Sequence, residues 1–157
     1  MAVPNKVLTL VMIKEDTRIL LGMKKRGFGV NRWNGFGGKV EHGESIAEGA
    51  KREVEEECGL ILTEFEKVGR LDFEFVGEPQ ILEVHVFRGD KYEGEPRETE
   101  EMRPHWFPHD AIPYKDMWPD DKLWIPWLLK GKKFKGYFKF EGHDNILDLR
   151  LDKVESL

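Results

Sequence analysis

A single cysteine, Cys58, is all the thiol chemistry available to this 157-residue chain. An internal disulfide is therefore excluded, and so is a zinc site built on cysteine pairs. Positive charge is also scarce: Lys plus Arg number 25 against 30 for Asp plus Glu, a formal charge of −5. Avid nonspecific binding to nucleic-acid phosphates needs the opposite balance. A small anionic ligand needs only a few local cations. Apolar runs long enough to span a bilayer are missing, and the opening Met-Ala-Val-Pro-Asn-Lys lacks the basic-then-apolar plan of a secretory signal. The histidines, His42, His85, His105, His109 and His143, are scattered without zinc spacing. What remains is 39% hydrophobic and 35% charged, the composition of one globular domain with enough chain to bury a core. A reducing compartment is expected: the cytosol, with the mitochondrial matrix and nucleus compatible.

Along the chain, residues 6–13 and 18–23 are β-rich runs around a polar turn, a hairpin or neighbouring strands. Residues 27–43 are glycine-rich and aperiodic, predicting a long ordered loop with a short strand near 34–36. The clearest helix is 45–58, closed by Gly59 where a left-handed glycine usually sits. Extended runs follow at 68–76 and 81–87, joined across 77–80; Phe73 and Phe75 alternate with Asp72 and Glu74 as in a half-buried strand. Residues 91–99 read as a turn and 103–107 as a short strand. A second helix is expected over 120–130, with a kink or early end at Pro126, and final strands at 133–141 and 146–151. No repeat or linker interrupts this order, so one mixed α/β domain over residues 1–157 is the economical reading.

The first helix carries the chemistry. At about 100° per residue, Ala47, Ala50, Val54 and Cys58 form an apolar stripe, while Glu53, Glu56 and Glu57 gather on another face. Like charges at i,i+3 and i,i+4 destabilise a helix by a few tenths of a kcal/mol per pair. On an arbitrary helix such a face usually only meets solvent. A divalent cation is the alternative, since converging carboxylates supply the hard oxygen ligands preferred by Mg²⁺ or Mn²⁺.

The surrounding text favours the cation. From Gly38, five residues precede Glu44 and seven more precede Arg52-Glu53; Val54, Glu55, Glu56-Glu57, Cys58, Gly59 and Leu60 follow. This resembles the Nudix box, Gly-x5-Glu-x7-Arg-Glu-U-x-Glu-Glu-x-Gly-U with U aliphatic, at every specified position over residues 38–60. Ordinary composition would produce the pattern at roughly 10⁻⁸ per starting point. The resemblance implies an α/β/α sandwich with a mixed central sheet and the box as loop–helix–loop. It also implies Mg²⁺-dependent hydrolysis of a nucleoside diphosphate linked to another moiety. By position it makes Glu53, Glu56 and Glu57 metal ligands, joined by the Gly37 or Gly38 carbonyl, with Glu57 as the general base. Arg52 would orient a glutamate with Glu44 as its partner, and Glu101 would be an additional ligand. Read alone, the acidic run 98–101 is more often a solvated loop.

Further blocks resemble the oxidised-purine nucleoside triphosphatases of the family, the animal MutT homologues: residues 21–29, 32–39, 73–79, 115–121, 133–134 and 136–140. That resemblance implies a base pocket of Asn34, Phe73, Phe75, Trp118, Pro119, Asp120 and Asp121. Thr9, Lys24, Phe28 and Leu82 lie at its edge, and Phe36, Gly37, Gly38 and Lys39 between pocket and metal. Leu82 stands where some members carry methionine. A tryptophan face stacks a purine for about 1–3 kcal/mol, and Asn34 offers a donor and an acceptor. Two adjacent buried aspartates should hold one proton near neutrality, so the pair could read a modified guanine and, after exchanging that proton, a modified adenine. Read in isolation, Trp118-Pro119-Asp120 is a helix entry and Phe73 and Phe75 are core. Hydrolysis of dinucleoside polyphosphates or nucleotide sugars, or a non-catalytic nucleotide-binding module, stand as alternatives, the last disfavoured by the intact Arg52, Glu53, Glu56 and Glu57. The expected partner is a small purine nucleoside triphosphate rather than nucleic acid or membrane, and the expected state a monomer.

Overall fold

The structure, a computed structural model, describes residues 3–157; Met1 and Ala2, which contribute to the N-terminal reading above, lie outside them. In chain order the elements begin with β1 (Lys6–Lys14), β2 (Arg18–Lys24), β3 (Trp33–Asn34), α1 (Ile46–Cys58), β4 (Ile61–Phe75) and β5 (Leu82–Glu93). They continue with β6 (Met102–Pro108), a 3₁₀ turn at Tyr114–Asp116, α2 (Asp121–Leu129), β7 (Lys133–Glu141) and β8 (Asn145–Val154). All eight strands join one sheet. β1 with β5 and β4 with β7 are parallel, the remaining pairs antiparallel.

The feature that makes room for a site is a split between β1 and β2. They pair only beside their turn, Ile13 opposite Leu20 and Lys14 opposite Ile19. Farther along, β2 takes β3 as its partner, Gly22 opposite Asn34, while β1 bridges to Phe36 and Lys39. The chain from Trp33 to Val40 is thus threaded between two diverging strands. Glycine is required within it: a Cβ at Gly37 would lie 1.9 Å from the Thr9 carbonyl oxygen, far inside any tolerated contact.

Strand alternation distributes the apolar residues to two cores, and a helix covers each. Met12, Leu21, Val86, Leu71 and Phe134 pack with Trp124, Ile125 and Leu128 of α2. Val11, Ile13, Leu20 and Phe87 pack with Ala50, Val54 and Cys58 of α1. Each large apolar side chain so buried contributes about 1.5–3 kcal/mol. A mixed sheet with one helix on either face is the expected α/β/α sandwich.

Local signals account for α1. Ser45 accepts from the Glu48 N–H at 3.0 Å while Glu48 accepts from the Ser45 N–H at 2.8 Å, a capping box. Gly59 ends the helix at φ 80°, its N–H donating to the Glu55 carbonyl. The apolar stripe differs from expectation at one end. Ala47 is exposed and Ile46 packs on the core instead, because the first turn lies beyond the sheet it covers.

Other boundaries also differ. β4 starts at Ile61 rather than near Val68, because bulges between Leu62 and Gly69 break the two-residue period that reveals a strand. β5 continues to Glu93, pairing those same residues through a polar stretch that sequence reads as a turn. β8 likewise runs longer, Asn145–Val154. Helix α2 runs through Pro126 to Leu129 without ending early. The carbonyl of exposed Lys122, which loses its usual partner to that proline, lies where water can reach it. Among the described residues no helix is long and apolar enough to cross a membrane.

Candidate active site

A cavity of about 780 Å³ opens where β1, β4 and β5 meet the threaded segment. Of the residues expected to bind a nucleotide, Thr9, Lys24, Phe28, Asn34, Gly37 and Gly38 line it. So do Phe73, Phe75, Leu82, Trp118 and Asp120, and Glu57 joins them from α1. One ligand in this cavity can therefore touch both the glutamate helix and the aspartate.

Four expected contacts are corrected. Phe36 is completely buried in the α1-side core, because its bridge to Val11 sets both side chains on that face, away from the cavity. Lys39 is exposed, beyond the point where the segment leaves the cavity wall. Pro119 lines a separate hollow of about 360 Å³ with Arg32, Tyr114 and Met117. Asp121 lies off the wall, 2% exposed behind Asp120.

Conversely, Leu8, Leu10, Val84 and His143 line the cavity without having been expected there. Leu8 and Leu10 were legible as one face of β1. Val84 joins them through the parallel β1–β5 pairing, Leu8 opposite Val84. His143 arrives from the β7–β8 turn, a placement that no local signal predicts.

The aromatic wall is occupied on itself. Phe28 stacks on Trp118 with centroids 5.0 Å apart at 28°, and the Arg32 guanidinium lies 4.5 Å from the Trp118 centroid. Phe28 is 58% exposed between Gly27 and Gly29, both at positive φ. A purine reaching the Trp118 face beside it must displace that ring. Asn34 is also less open than its sequence suggests: its Oδ1 accepts from the Gly35 N–H at 2.8 Å. Its amide donors make no hydrogen bond among the described residues.

At the helix end of the cavity, Glu57 is 5% exposed and its Oε1 accepts from the Gly37 N–H at 2.8 Å. Burial pushes its carboxyl up to about 7, against the opposing pull of the Gly37 N–H and Lys24. Burial raises Glu53 as well. Glu53 lies against the neighbouring backbone, since a Cβ on Gly38 would fall 2.7–2.9 Å from its carboxylate atoms. Lys24 Nζ stands 3.0 Å from Glu101 Oε2 and 3.9 Å from Glu57 Oε2. Hydrogen bonds from Lys24 and Arg26 hold Glu101 below the usual carboxylate range.

Arg52 organises the rest. Its Nε and Nη2 donate to Glu44 at 3.0 and 2.6 Å, Nη1 to Glu53 at 3.0 Å and Glu56 at 3.2 Å, and Nη2 also to the Lys39 carbonyl at 3.1 Å. The Arg52 fork holds Glu44 down to about 2. Glu56 is the most solvated of the three expected ligand glutamates, 59% exposed at its side chain. Among the described residues no three acidic, histidine or cysteine side chains form a ready-made ion cage; the glutamates are held by Arg52, Lys24 and Gly37. Arg52→Lys, which cannot reproduce the fork, should therefore cost about 1–2 kcal/mol of stability after allowance for partial exposure, read as a lower urea midpoint at constant slope.

The inner end is an acid pair. Asp120 Oδ2 accepts from Trp124 Nε1 at 2.8 Å, while Asp120 Oδ1 and Asp121 Oδ2 are buried without partners. Desolvation raises both carboxyls, Asp120 to about 6, and the charge on Asp120 further opposes ionisation of Asp121. The folded chain thus keeps protons that the unfolded chain has lost above 3.8. This contribution to stability is complete below that value and disappears as pH rises through about 6 for Asp120 and higher for Asp121. Asp121→Asn, neutral throughout, should gain stability relative to the parent between about pH 5 and 8, seen as a Tm difference that widens with pH.

A threaded glycine pair against two helix carboxylates, with a base-sized cavity behind them, is the arrangement of a phosphohydrolase. The chain belongs to the Nudix family: the NUDIX domain model matches residues 4–128. It is 56% identical over 153 residues to the zebrafish (Danio rerio) oxidized purine nucleoside triphosphate hydrolase, covering 98% of each chain. It is 55% identical over 152 residues to the mouse (Mus musculus) enzyme of that name, covering 97% of each. The crystal structure of the mutator MutT protein from Bacillus halodurans superimposes with a TM-score of 0.84 at 27% identity, over 94% of this chain and 97% of that one. Nudix hydrolases generally need a divalent metal.

Proposed function

We propose that this protein hydrolyses oxidised purine (deoxy)nucleoside triphosphates, such as 8-oxo-dGTP and 2-oxo-dATP, to the monophosphate and pyrophosphate. Methylated purine triphosphates belong to the same substrate class. The reaction clears altered bases from the nucleotide pool before they enter DNA. The observation that carries this reading is that Asp120 and Glu57 line one cavity, so that a base held at one end brings its phosphates to the other. The names of the zebrafish and mouse relatives support the same substrate.

The donor set suits Mg²⁺, with Mn²⁺ as a substitute. Glu53 and Glu57 approach the same Gly37–Gly38 backbone, and Glu57 is a buried carboxylate short of compensating positive charge. Glu53, Glu56 and Glu57 would hold the ion, with Glu101 near. Gly37 is the better carbonyl ligand, because the Gly38 carbonyl already accepts from the Thr9 N–H at 2.9 Å. An ion bound there would neutralise phosphoryl oxygens and make water more acidic. Glu57 takes the proton from the attacking water, Arg52 keeps Glu53 and Glu56 in place, and Lys24 offers a cation to the phosphates. At the other end, the unpartnered Asp120 Oδ1 and the Asn34 amide donors read the edge of the base, with Asp121 buried behind Asp120.

We expect the protein to act as a monomer. Strands β7 and β8 extend past the matched residues yet belong to the same sheet, which supports one domain over residues 1–157. The lone thiol fits the cytosol and other reducing nucleotide pools. The test is product analysis. With Mg²⁺ and 8-oxo-dGTP the purified protein should release 8-oxo-dGMP and pyrophosphate. Orthophosphate release, or a higher kcat/KM for a dinucleoside polyphosphate, would reject the reading.

A further inference from the structure

Arg32 lies outside the cavity, yet it touches what shapes it. Its guanidinium sits 4.5 Å from the Trp118 centroid. Nη1 donates to the His143 carbonyl at 3.1 Å, and Nη2 pairs with the Asp144 carboxylate. The side chain is only 18% exposed, and it lines the smaller hollow beside Pro119 and Met117 rather than the cavity. Through these contacts one residue ties together three segments distant in sequence: the Phe28 loop, the Trp118–Asp121 corner and the β7–β8 turn.

The two aromatic rings it steadies face the cavity. The His143 ring is 4.9 Å from Trp118 and 5.2 Å from Phe28, and Phe75 closes the group at 6.2 Å from Trp118. Neither Trp118 nor His143 is anchored by a side-chain hydrogen bond among the described residues. The spacing of this wall therefore depends on packing and on Arg32. A planar guanidinium suits the task, since it can lie over an indole while its edge donates elsewhere. The positive charge also favours the ionised forms of Asp120 and Asp121.

We infer that Arg32 is a positioning residue for base selection, holding Trp118 and the Gly142–Asp144 turn as one wall from the side away from the ligand. This rests on the cavity being the base site. Lysine keeps a charge for the indole but loses the fork; methionine keeps only the length.

The experiment measures the Kd of 8-oxo-dGMP by calorimetry, and kcat and KM for 8-oxo-dGTP, for the parent, Arg32→Lys and Arg32→Met. Arg32→Met should weaken Kd and raise KM by roughly 3- to 30-fold, as expected for loss of a cation–π contact, with kcat within about a factor of two of the parent. Arg32→Lys should recover part of the loss. Hydrolysis of inorganic triphosphate, which has no base to stack, should be the same in all three. Equal Kd values for parent and Arg32→Met would overturn the role, as would a fall in kcat at constant KM, or a loss with inorganic triphosphate as large as with the nucleotide. Should Arg32→Met not fold, Arg32→Lys decides by the same comparison. Failure of the parent itself to bind 8-oxo-dGMP would instead defeat the reading of the cavity, and this role with it.

Discussion

Glu57→Gln should yield a folded protein that still binds 8-oxo-dGMP but turns over 8-oxo-dGTP about 10³-fold more slowly, within the range for loss of a positioned base. The substitution is nearly isosteric, and the new amide oxygen can still accept from the Gly37 N–H that now meets Glu57 at 2.8 Å. What disappears is the capacity to take a proton and the negative charge that holds a cation. Because that carboxylate is buried and only partly compensated by Lys24, its removal should leave Tm unchanged or raised. A folding defect cannot then be mistaken for a chemical one. Glu56→Gln, altering the most solvated of the three expected ligand glutamates, should cost less. Turnover by Glu57→Gln above a tenth of the parental rate would remove the residue from the proposed chemistry.

Asp120→Asn should change which purines are accepted rather than uniformly weaken all of them. The indole N–H of Trp124 claims one Asp120 oxygen at 2.8 Å, and the other is buried without a partner. Asparagine has one oxygen, and Trp124 needs an acceptor. The amide NH₂ is thus left facing the base, a donor where an acceptor could stand. Substrates that donate to this position should lose about 10- to 100-fold in kcat/KM, the cost of a hydrogen bond to a charged group in a dry site. Those that accept there should lose far less. Competition between 8-oxo-dGTP and 2-oxo-dATP measures the ratio directly, and a parallel loss for both would argue that Asp120 only supports the fold.

How much of this was readable beforehand varies with the range of the interactions. Helix α1 was legible nearly to the residue because its signals are local: Ser45 and Glu48 cap it and Gly59 stops it, whereas the pairing of Arg52 with Glu44 was expected only from the resemblance. Glu53 and Glu57 needed only a helical period. The contact list for the nucleotide was less secure. Phe36, Gly37, Gly38 and Lys39 form a continuous run in sequence, but an extended backbone cannot turn them all to one side. Gly37 and Gly38 meet the cavity while Phe36 enters the opposite core. In β4 the bulges concealed half of a strand. Trp118 was foreseen as a stacking face; that Phe28 already lies on it was not.

From its residues alone the chain declares a Nudix helix, its acidic chemistry and the neighbours that resemble a purine site, since spacing along one helix needs no knowledge of the rest of the fold. Folding decides which carboxylates lose water. The split between β1 and β2 delivers Gly37 to Glu57, and packing of α2 seals Asp120 and Asp121 away from solvent. Desolvation and electrostatic pairing depend on atoms contributed from far along the chain, such as Arg32 behind Trp118. Those properties exist only once the strands and helices have come together.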